Sequence, residues 1–187
     1  MATAEDADAV AEIYRPYVRD TAISFETMAP EAGEMRSRIT TTLARVPWLV
    51  VTDDERVTGF AHASPHRVRE AYRWSVDVSI YLNESVHRQG QGRRLNTALF
   101  NVLVAQGYIN AYAGIALPNP ASVGLHEALG FTPVGVFHGV GFKHDTWWDV
   151  GWWHRRLVDP PPAPPEPLPW SQLSDQALDA ALAVCTL

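Results

Sequence analysis

The amino-acid sequence predicts one α/β domain, a mixed sheet flanked by helices, followed by a proline-rich arm. Strand-like and helix-like runs alternate as far as about Leu157, and the last two strand-like runs are neighbours, which is the pattern of a mixed sheet. The 187 residues, 47% of them hydrophobic, suffice for one substantial core and are too few for two full-sized domains. Seven of the 14 prolines fall between Pro160 and Pro169, where neither a core helix nor a central strand can form. The expected division is residues 1–158 as the folded domain and 159–187 as the arm.

From about Asp6 to Val18, the apolar positions Val10, Ile13, Tyr14 and Tyr17 mark one face of a helix. Thr3 and Asp6 open it with capping-box spacing, and Pro16 is expected to end or bend it. Residues 30–44 read as a second helix, with Pro30 placed to open it. The stretch PWLVVTDDERVTGFAHA (47–63) reads as a hairpin turning at Asp-Asp-Glu-Arg. Residues 73–82 alternate Trp74, Val76, Val78, Ile80 and Leu82 as a strand. Residues 93–105 place Leu95, Ala98, Leu99, Val102 and Leu103 on one side of a helix. A strand (108–116), a helix (121–129) and two strands (132–142 and 147–157) complete the domain. The arm reads as polyproline II, either a ligand for a proline-recognition domain or a stiff tail lying on its own domain or on a dimer partner. Beyond it, Ser174 is placed to cap a short helix.

With 15 Lys+Arg against 21 Asp+Glu, the chain is a poor general nucleic-acid binder, and no apolar run approaches the length of a membrane span. The start, MATAEDADAV, lacks the basic and apolar parts of a secretory signal, so a soluble cytoplasmic protein is expected, without nucleic-acid or membrane partners. A single cysteine, Cys185, excludes a disulfide framework. His62 and His66 are four apart, but on a strand end and a loop and with no evident third ligand, so no metal is expected. Strand alternation divides Trp147, Trp148, Trp152 and Trp153 between two faces, where they would pack a core or a dimer interface. In YLNESVHRQGQGRRLNTALF, Gly90 and Gly92 sit where a strand gives way to a helix, with Arg88, Arg93 and Arg94 around them. Such a helix start suits an anion such as a pyrophosphate, although two glycines before a helix also make a plain turn. The stretch is neither a P-loop nor a dinucleotide fingerprint.

In order along the chain, SFET (24–27), PWLV (47–50), AYRWSVDVSIYL (71–82), HRQGQG (87–92), LPNPASVGLHEALGF (117–131) and GFKHDTWWDVGWW (141–153) resemble the GNAT acyl-CoA N-acyltransferases. Within them, the similarity is to the phosphinothricin and related amino-acid N-acetyltransferases. The resemblance implies a mixed, mostly antiparallel sheet in which the superfamily's fourth strand (here near 73–82) splays from its fifth (here near 108–116). Acetyl-CoA would be the co-substrate, with no metal, and a homodimer would be the assembly. The backbone of Ile80, Tyr81 and Leu82 would pair with the pantetheine arm. His87, Arg88, Gln89, Gly90, Gln91, Gly92 and Arg93 would wrap the pyrophosphate, and Asn119 and Ser122 would contact the arm. Two departures stand out. Position 87 usually carries Gln or Arg, and only Met1 and Ala2 precede the Thr3 helix start, so the family's first strand is truncated or missing.

Amide formation needs a neutral amine, and stripping a proton from an ordinary alkylammonium at pH 7 costs about 4–5 kcal/mol, so a base is required. By periodicity Asp77 lies on the face of Ser75 and Ser79, opposite Val76 and Val78, which by itself also describes a solvent-facing residue. The matching family position carries a glutamate general base, and the shorter aspartate is expected to act through a water. His126 occupies a slot that in related acyltransferases holds a tyrosine protonating the thiolate, so a catalytic or positioning role is implied. Arg67 and Arg69, two apart in a segment expected to be extended, would point the same way and hold the acidic end of the acceptor. Phe25 and Tyr81 match pocket-lining positions. The implied function is acetylation of the α-amine of phosphinothricin- or methionine-sulfoximine-like amino acids by direct transfer. The alternatives are another small amine or a peptide N-terminus as acceptor, or a CoA-binding sensor without turnover.

Overall fold

Thr3 and Asp6 form the capping box their spacing predicts, with the Thr3 N–H donating to Asp6 Oδ2 (2.7 Å) and the Glu5 N–H to Thr3 Oγ1 (3.3 Å). The structure, a computed structural model, describes residues 1–183; Cys185 lies outside them. The capped turn leads into α1 (Ala7–Arg19), whose apolar side buries Val10, Ile13, Tyr14 and Val18. Pro16 does not end α1. It lies in the last turn, where its missing N–H costs one bond, and its carbonyl still accepts from the Asp20 N–H (2.9 Å). The second helix, α2, is Ala32–Leu43, so Pro30 precedes it by two residues.

The strands are β1 (Trp48–Asp53), β2 (Arg56–Pro65), β3 (Ser75–Leu82), β4 (Asn110–Leu117), β5 (Thr132–Lys143) and β6 (Thr146–Arg156). The helices α3 (Gln91–Gln106) and α4 (Pro120–Ala128) flank β4 in sequence, and α5 (Asp175–Leu182) follows the arm. The strands form one sheet in the order β1-β2-β3-β4-β6-β5, antiparallel throughout except between β3 and β4. The β1–β2 turn holds Asp54 and Glu55 at positive φ, as a two-residue hairpin requires. No strand precedes Trp48 among the described residues; Ala2 contributes one bond, its N–H donating to the Trp48 carbonyl (2.8 Å) at the free side of β1.

Strand alternation sorts the sheet into two cores. Leu49, Ala61, Ala63, Val76 and Val78 pack with Leu95, Leu99 and Leu103 of α3 and with Phe131 and Trp153. Trp48 and Phe60 face the other way, against Val10, Ile13 and Tyr14 of α1 and Met35 and Ile39 of α2, with Tyr81 beside them. Asp77 and Ser79 share the α1–α2 face with Tyr81 by period two.

The arm lies on its own domain. The Gln106 side chain, 1% exposed, donates to the carbonyls of Arg45 (2.8 Å) and Leu168 (2.7 Å), and the Leu168 N–H donates back to the Gln106 carbonyl (2.8 Å). Indole N–H groups fix it further, Trp74 to the Pro165 carbonyl and Trp170 to the Leu43 carbonyl, each 2.7 Å. Ser174 caps α5 through the Ala177 N–H (3.2 Å).

Candidate active site

β3 and β4 pair only at Ser75–Asn110, Val76–Ala111 and Asp77–Tyr112. Beyond Asp77 they part, so the remainder of β3 presents one side of its backbone to a gap. The Asn83 N–H donates to the Thr58 carbonyl on β2 (2.7 Å), and alternation turns the backbone groups of Leu82 and Ile80 the other way, toward the gap, and those of Tyr81 toward β2. The Leu82 carbonyl already accepts from the Tyr17 hydroxyl (2.6 Å). Ile80 and the Leu82 N–H therefore remain as edge groups, whereas the sequence expectation included all three residues.

At the far end of the gap α3 begins at Gln91 behind Gly90, which has φ +80° and provides no side-chain cap. The first N–H groups of such a helix have no internal acceptor and point at whatever fills the loop. Arg88 (φ 62°), Gln89 and Arg93 are exposed around it. Gly92 is buried, and a Cβ there would sit 3.3 Å from both Leu125 and Leu82, so the helix start approaches β3 and α4 as closely as glycine allows. Gln91 turns inward, its Oε1 accepting from Thr58 Oγ1 (3.0 Å), and Gln89 donates to the Ser85 carbonyl (3.0 Å). His87 points elsewhere: its N–H donates to the Glu84 carbonyl (3.2 Å), and Nε2 lies 3.3 Å from both the Tyr17 hydroxyl and the Leu82 carbonyl. An open strand edge leading to an uncapped helix start fits an extended ligand with an amide-bearing arm and a phosphate end.

The cavity on the α1–α2 face, about 510 Å³, is lined by Ser24, Phe25, Glu26, Ser64, Asp77, Ser79, Tyr81, Gly114 and Trp152, among others. Asp77 thus sits on its floor at the point where the sheet splits. Its Oδ1 is 2.6 Å from His66 Nδ1, with side-chain exposures of 27% for Asp77 and 12% for His66. Burial pushes the Asp77 carboxyl above its ordinary range, against the opposing pull of His66 and the Arg67 charge.

Phe25 is seated by the β5–β6 hairpin. Its ring lies over Gly141, where a Cβ would clash with the Phe25 ring. The buried Lys143 ammonium donates to the Ser24 carbonyl (2.7 Å) and to the Val18 carbonyl, tying the end of α1 and the Phe25 segment to the hairpin. Beside Phe25, Glu26 accepts from the Tyr14 hydroxyl (2.9 Å) and from Arg38 (2.7 and 2.9 Å), and Arg38 holds its carboxyl below the usual range. Tyr81 stacks edgewise on Tyr14 (4.7 Å) and Tyr17 (5.1 Å).

The remaining expected residues are more scattered. Asn119 caps α4, its Oδ1 accepting from the Ser122 N–H (3.1 Å). His126, 3% exposed, lies in α4 with Nδ1 2.8 Å from the Ser122 carbonyl and with Nε2 lacking any partner. A carbonyl only accepts, so Nδ1 carries the proton and Nε2 is a bare lone pair. Burial lowers the His126 pKa and so favours the neutral ring, with Nε2 as its acceptor. His126 is not part of the Asp77 cavity wall.

Arg67 and Arg69 do not lie in an extended segment. The chain bends at residues 66, 68 and 69 and enters a 3₁₀ turn (Glu70–Tyr72), so strand alternation does not align them. Arg67 lies 5.7 Å from the Trp152 ring centroid and donates to the His66 carbonyl (2.7 Å), whereas Arg69 stands exposed. Sequence reasoning missed His66, Glu26 and Trp152 as site residues. Glu26 lay inside the SFET block, but His66 had no sequence signal, because its partner is eleven residues away on the next strand.

A family model described as "Acetyltransferase (GNAT) domain" matches residues 1–152. The chain is 39% identical over 167 residues to a phosphinothricin N-acetyltransferase of Streptomyces viridochromogenes, covering 89% of this chain and 90% of that protein. It is 30% identical over 156 residues to an L-methionine sulfoximine/L-methionine sulfone acetyltransferase of Salmonella typhimurium, covering 81% and 90%. Among solved structures, a phosphinothricin acetyltransferase from Sinorhizobium meliloti in complex with AcCoA superimposes with a TM-score of 0.85 at 34% identity, covering 92% of this chain and 95% of that one.

Proposed function

We propose, from the premise that this chain belongs to the GNAT acetyltransferase family and uses acetyl-CoA as its co-substrate, that it acetylates the α-amine of small amino acids of the phosphinothricin and methionine sulfoximine type. The observation that carries the reading is the position of Asp77, a carboxylate of raised pKa on the cavity floor where β3 and β4 separate. Acetyl-CoA supplies the activated acetyl group. This chain's residues bind, orient and move protons around it. Ile80 and the Leu82 N–H offer the strand edge to the pantetheine arm. The start of α3, from Gly90 to Arg93, with Arg88, receives the pyrophosphate, and Asn119 and Ser122 border the arm.

Asp77 takes the proton from the acceptor ammonium through a bridging water, the aspartate being short for direct contact, and its raised pKa brings it closer to the strength a general base needs at neutral pH. Phe25, Tyr81 and Trp152 wall the acceptor, and Arg67, seated against Trp152, draws its anionic group. His126, whose Nε2 has no partner among the described residues, offers that nitrogen as an acceptor to the bound ligand. The protein works as a homodimer in the cytoplasm: β5, at the sheet edge, exposes Val134, Phe137, Val140 and Phe142, with Trp147 of β6 beside them, an apolar surface suited to a second copy. Thiol release from acetyl-CoA, measured with phosphinothricin, methionine sulfoximine and methionine, tests the reading. Turnover with the first two is expected; thermal stabilisation by CoA without thiol release for any amine would instead identify a CoA sensor.

A further inference from the structure

We propose that His66 is a positioning residue for acetyl transfer, holding one oxygen of Asp77 through Nδ1 so that the other is presented to the water that bridges to the acceptor amine. The inference rests on the reading of Asp77 as the base. An ionised carboxylate only accepts, so the 2.6 Å contact requires the proton on His66 Nδ1. Asp77 lines the cavity and His66 does not, so the imidazole stands behind the carboxylate as seen from the acceptor. Among the described residues Asp77 Oδ2 has no hydrogen-bond partner, and it is the oxygen free to act.

The ring is held in place from several sides. Tyr112 of β4 stacks on it at 4.2 Å and 16°, and Tyr72 and Trp152 meet it edgewise at 6.0 and 5.9 Å. The His66 backbone N–H donates to the Ser75 carbonyl (3.2 Å), anchoring the residue to the start of β3. The rotamer that aims Nδ1 at Asp77 is therefore fixed by packing before any substrate arrives. The titratable and charged groups around the pair are Arg67 from the same segment, Tyr72 from the 3₁₀ turn, Tyr112 from β4, behind Tyr112 at 4.8 Å His154 of β6, and, lining the same cavity as Asp77, Glu26, Tyr14 and Tyr81. His66 and Arg67 both oppose the rise that burial gives the Asp77 carboxyl, so losing His66 as a partner raises it further and carries the acid limb of the rate profile to higher pH.

Two substitutions separate orientation from packing. His66→Phe keeps the stack on Tyr112 and removes the donor; His66→Asn keeps an N–H donor near the Nδ1 position and removes the imidazole. His66→Phe is expected to lower kcat at least about tenfold, with the acetyl-CoA KM within about twofold of wild type. His66→Asn is expected to recover most of that loss while moving the acid limb of kcat/KM to higher pH, because the pull of the imidazole on the Asp77 carboxyl is gone. Wild-type kcat and an unmoved acid limb in both variants would overturn the proposal. An unmoved limb in His66→Asn alone would do so even if His66→Phe failed to fold. Asp77→Asn, assayed beside them, distinguishes the failures: if it stays active the base reading falls, and if it is inactive while the His66 variants behave as wild type, only the positioning role falls.

Discussion

Burial raises the Asp77 carboxyl by more than His66 and Arg67 lower it, so the charged form is disfavoured in the folded protein. A carboxyl whose folded pKa exceeds its unfolded value of about 3.9 favours folding below that value, and the contribution is lost as pH rises through the folded pKa. At pH 7 Asp77 is therefore kept at a cost to stability. Asp77→Asn is expected to melt at or above the wild-type temperature at pH 7 in calorimetry; a clear drop would show that the charge stabilises the fold. His62 has the opposite sign. Stacked on Trp48 at 4.3 Å, with its Nδ1 buried and without a partner, it is pushed down to about 4 by burial. Stability present above about pH 6.5 is then lost as pH falls toward 4, to the extent of about 3 kcal/mol at most. His62→Phe should flatten that part of the decline in urea midpoints between pH 7 and 4. Both histidines look alike in the sequence, four residues apart on a strand end and a loop. What separates them is register, which turns His62 onto Trp48 and leads His66 back to Asp77, and spacing within one segment contains no information about it.

At the scale of elements, the β5–β6 hairpin acts on the site through packing. Gly141 is where the Phe25 ring rests, and Lys143 holds the segment that carries Phe25. A methyl group at 141 must displace the ring, an adjustment the exposed side of Phe25 permits without unfolding. Gly141→Ala is expected to raise the acceptor KM about tenfold while leaving the acetyl-CoA KM and the melting temperature near wild type; an unchanged acceptor KM would remove Phe25 from the pocket wall. Elements with their own local chemistry were legible in the sequence: the Thr3–Asp6 capping box, the Asp54–Glu55 turn, the Gly90 helix start and the Ser174 cap. Pro16 does not end α1 because proline disrupts a helix according to its position, and near the last turn it removes one bond without preventing the next. The shared direction expected of Arg67 and Arg69 is absent because a bend, unlike a strand, has no fixed side-chain period.

For the whole molecule, the sheet, its split and the two cores follow from alternation and family pattern, whereas the lie of the arm does not. Proline content predicts an extended shape but not what it rests on. Here Gln106, Trp74 and Trp170 fasten it to the domain, and removing it would leave the buried Gln106 amide without the Leu168 carbonyl. Deleting residues 160–187 is expected to lower the melting temperature by about 5 °C or more while leaving kcat at low temperature within a few-fold of the full chain. Loss of turnover in a truncated protein that remains folded would make the arm part of the site. The apolar β5 edge gives the assembly a test of its own: light scattering should report a dimer, and Phe137→Glu should yield the monomer. The central claim, that Asp77 at the split of the sheet is the base for N-acetyl transfer, is tested most directly by thiol release from acetyl-CoA with phosphinothricin, compared between wild type and Asp77→Asn. The account predicts turnover in the wild type and a fall of at least about 100-fold in the variant with its fold intact; near-normal turnover in Asp77→Asn would contradict it.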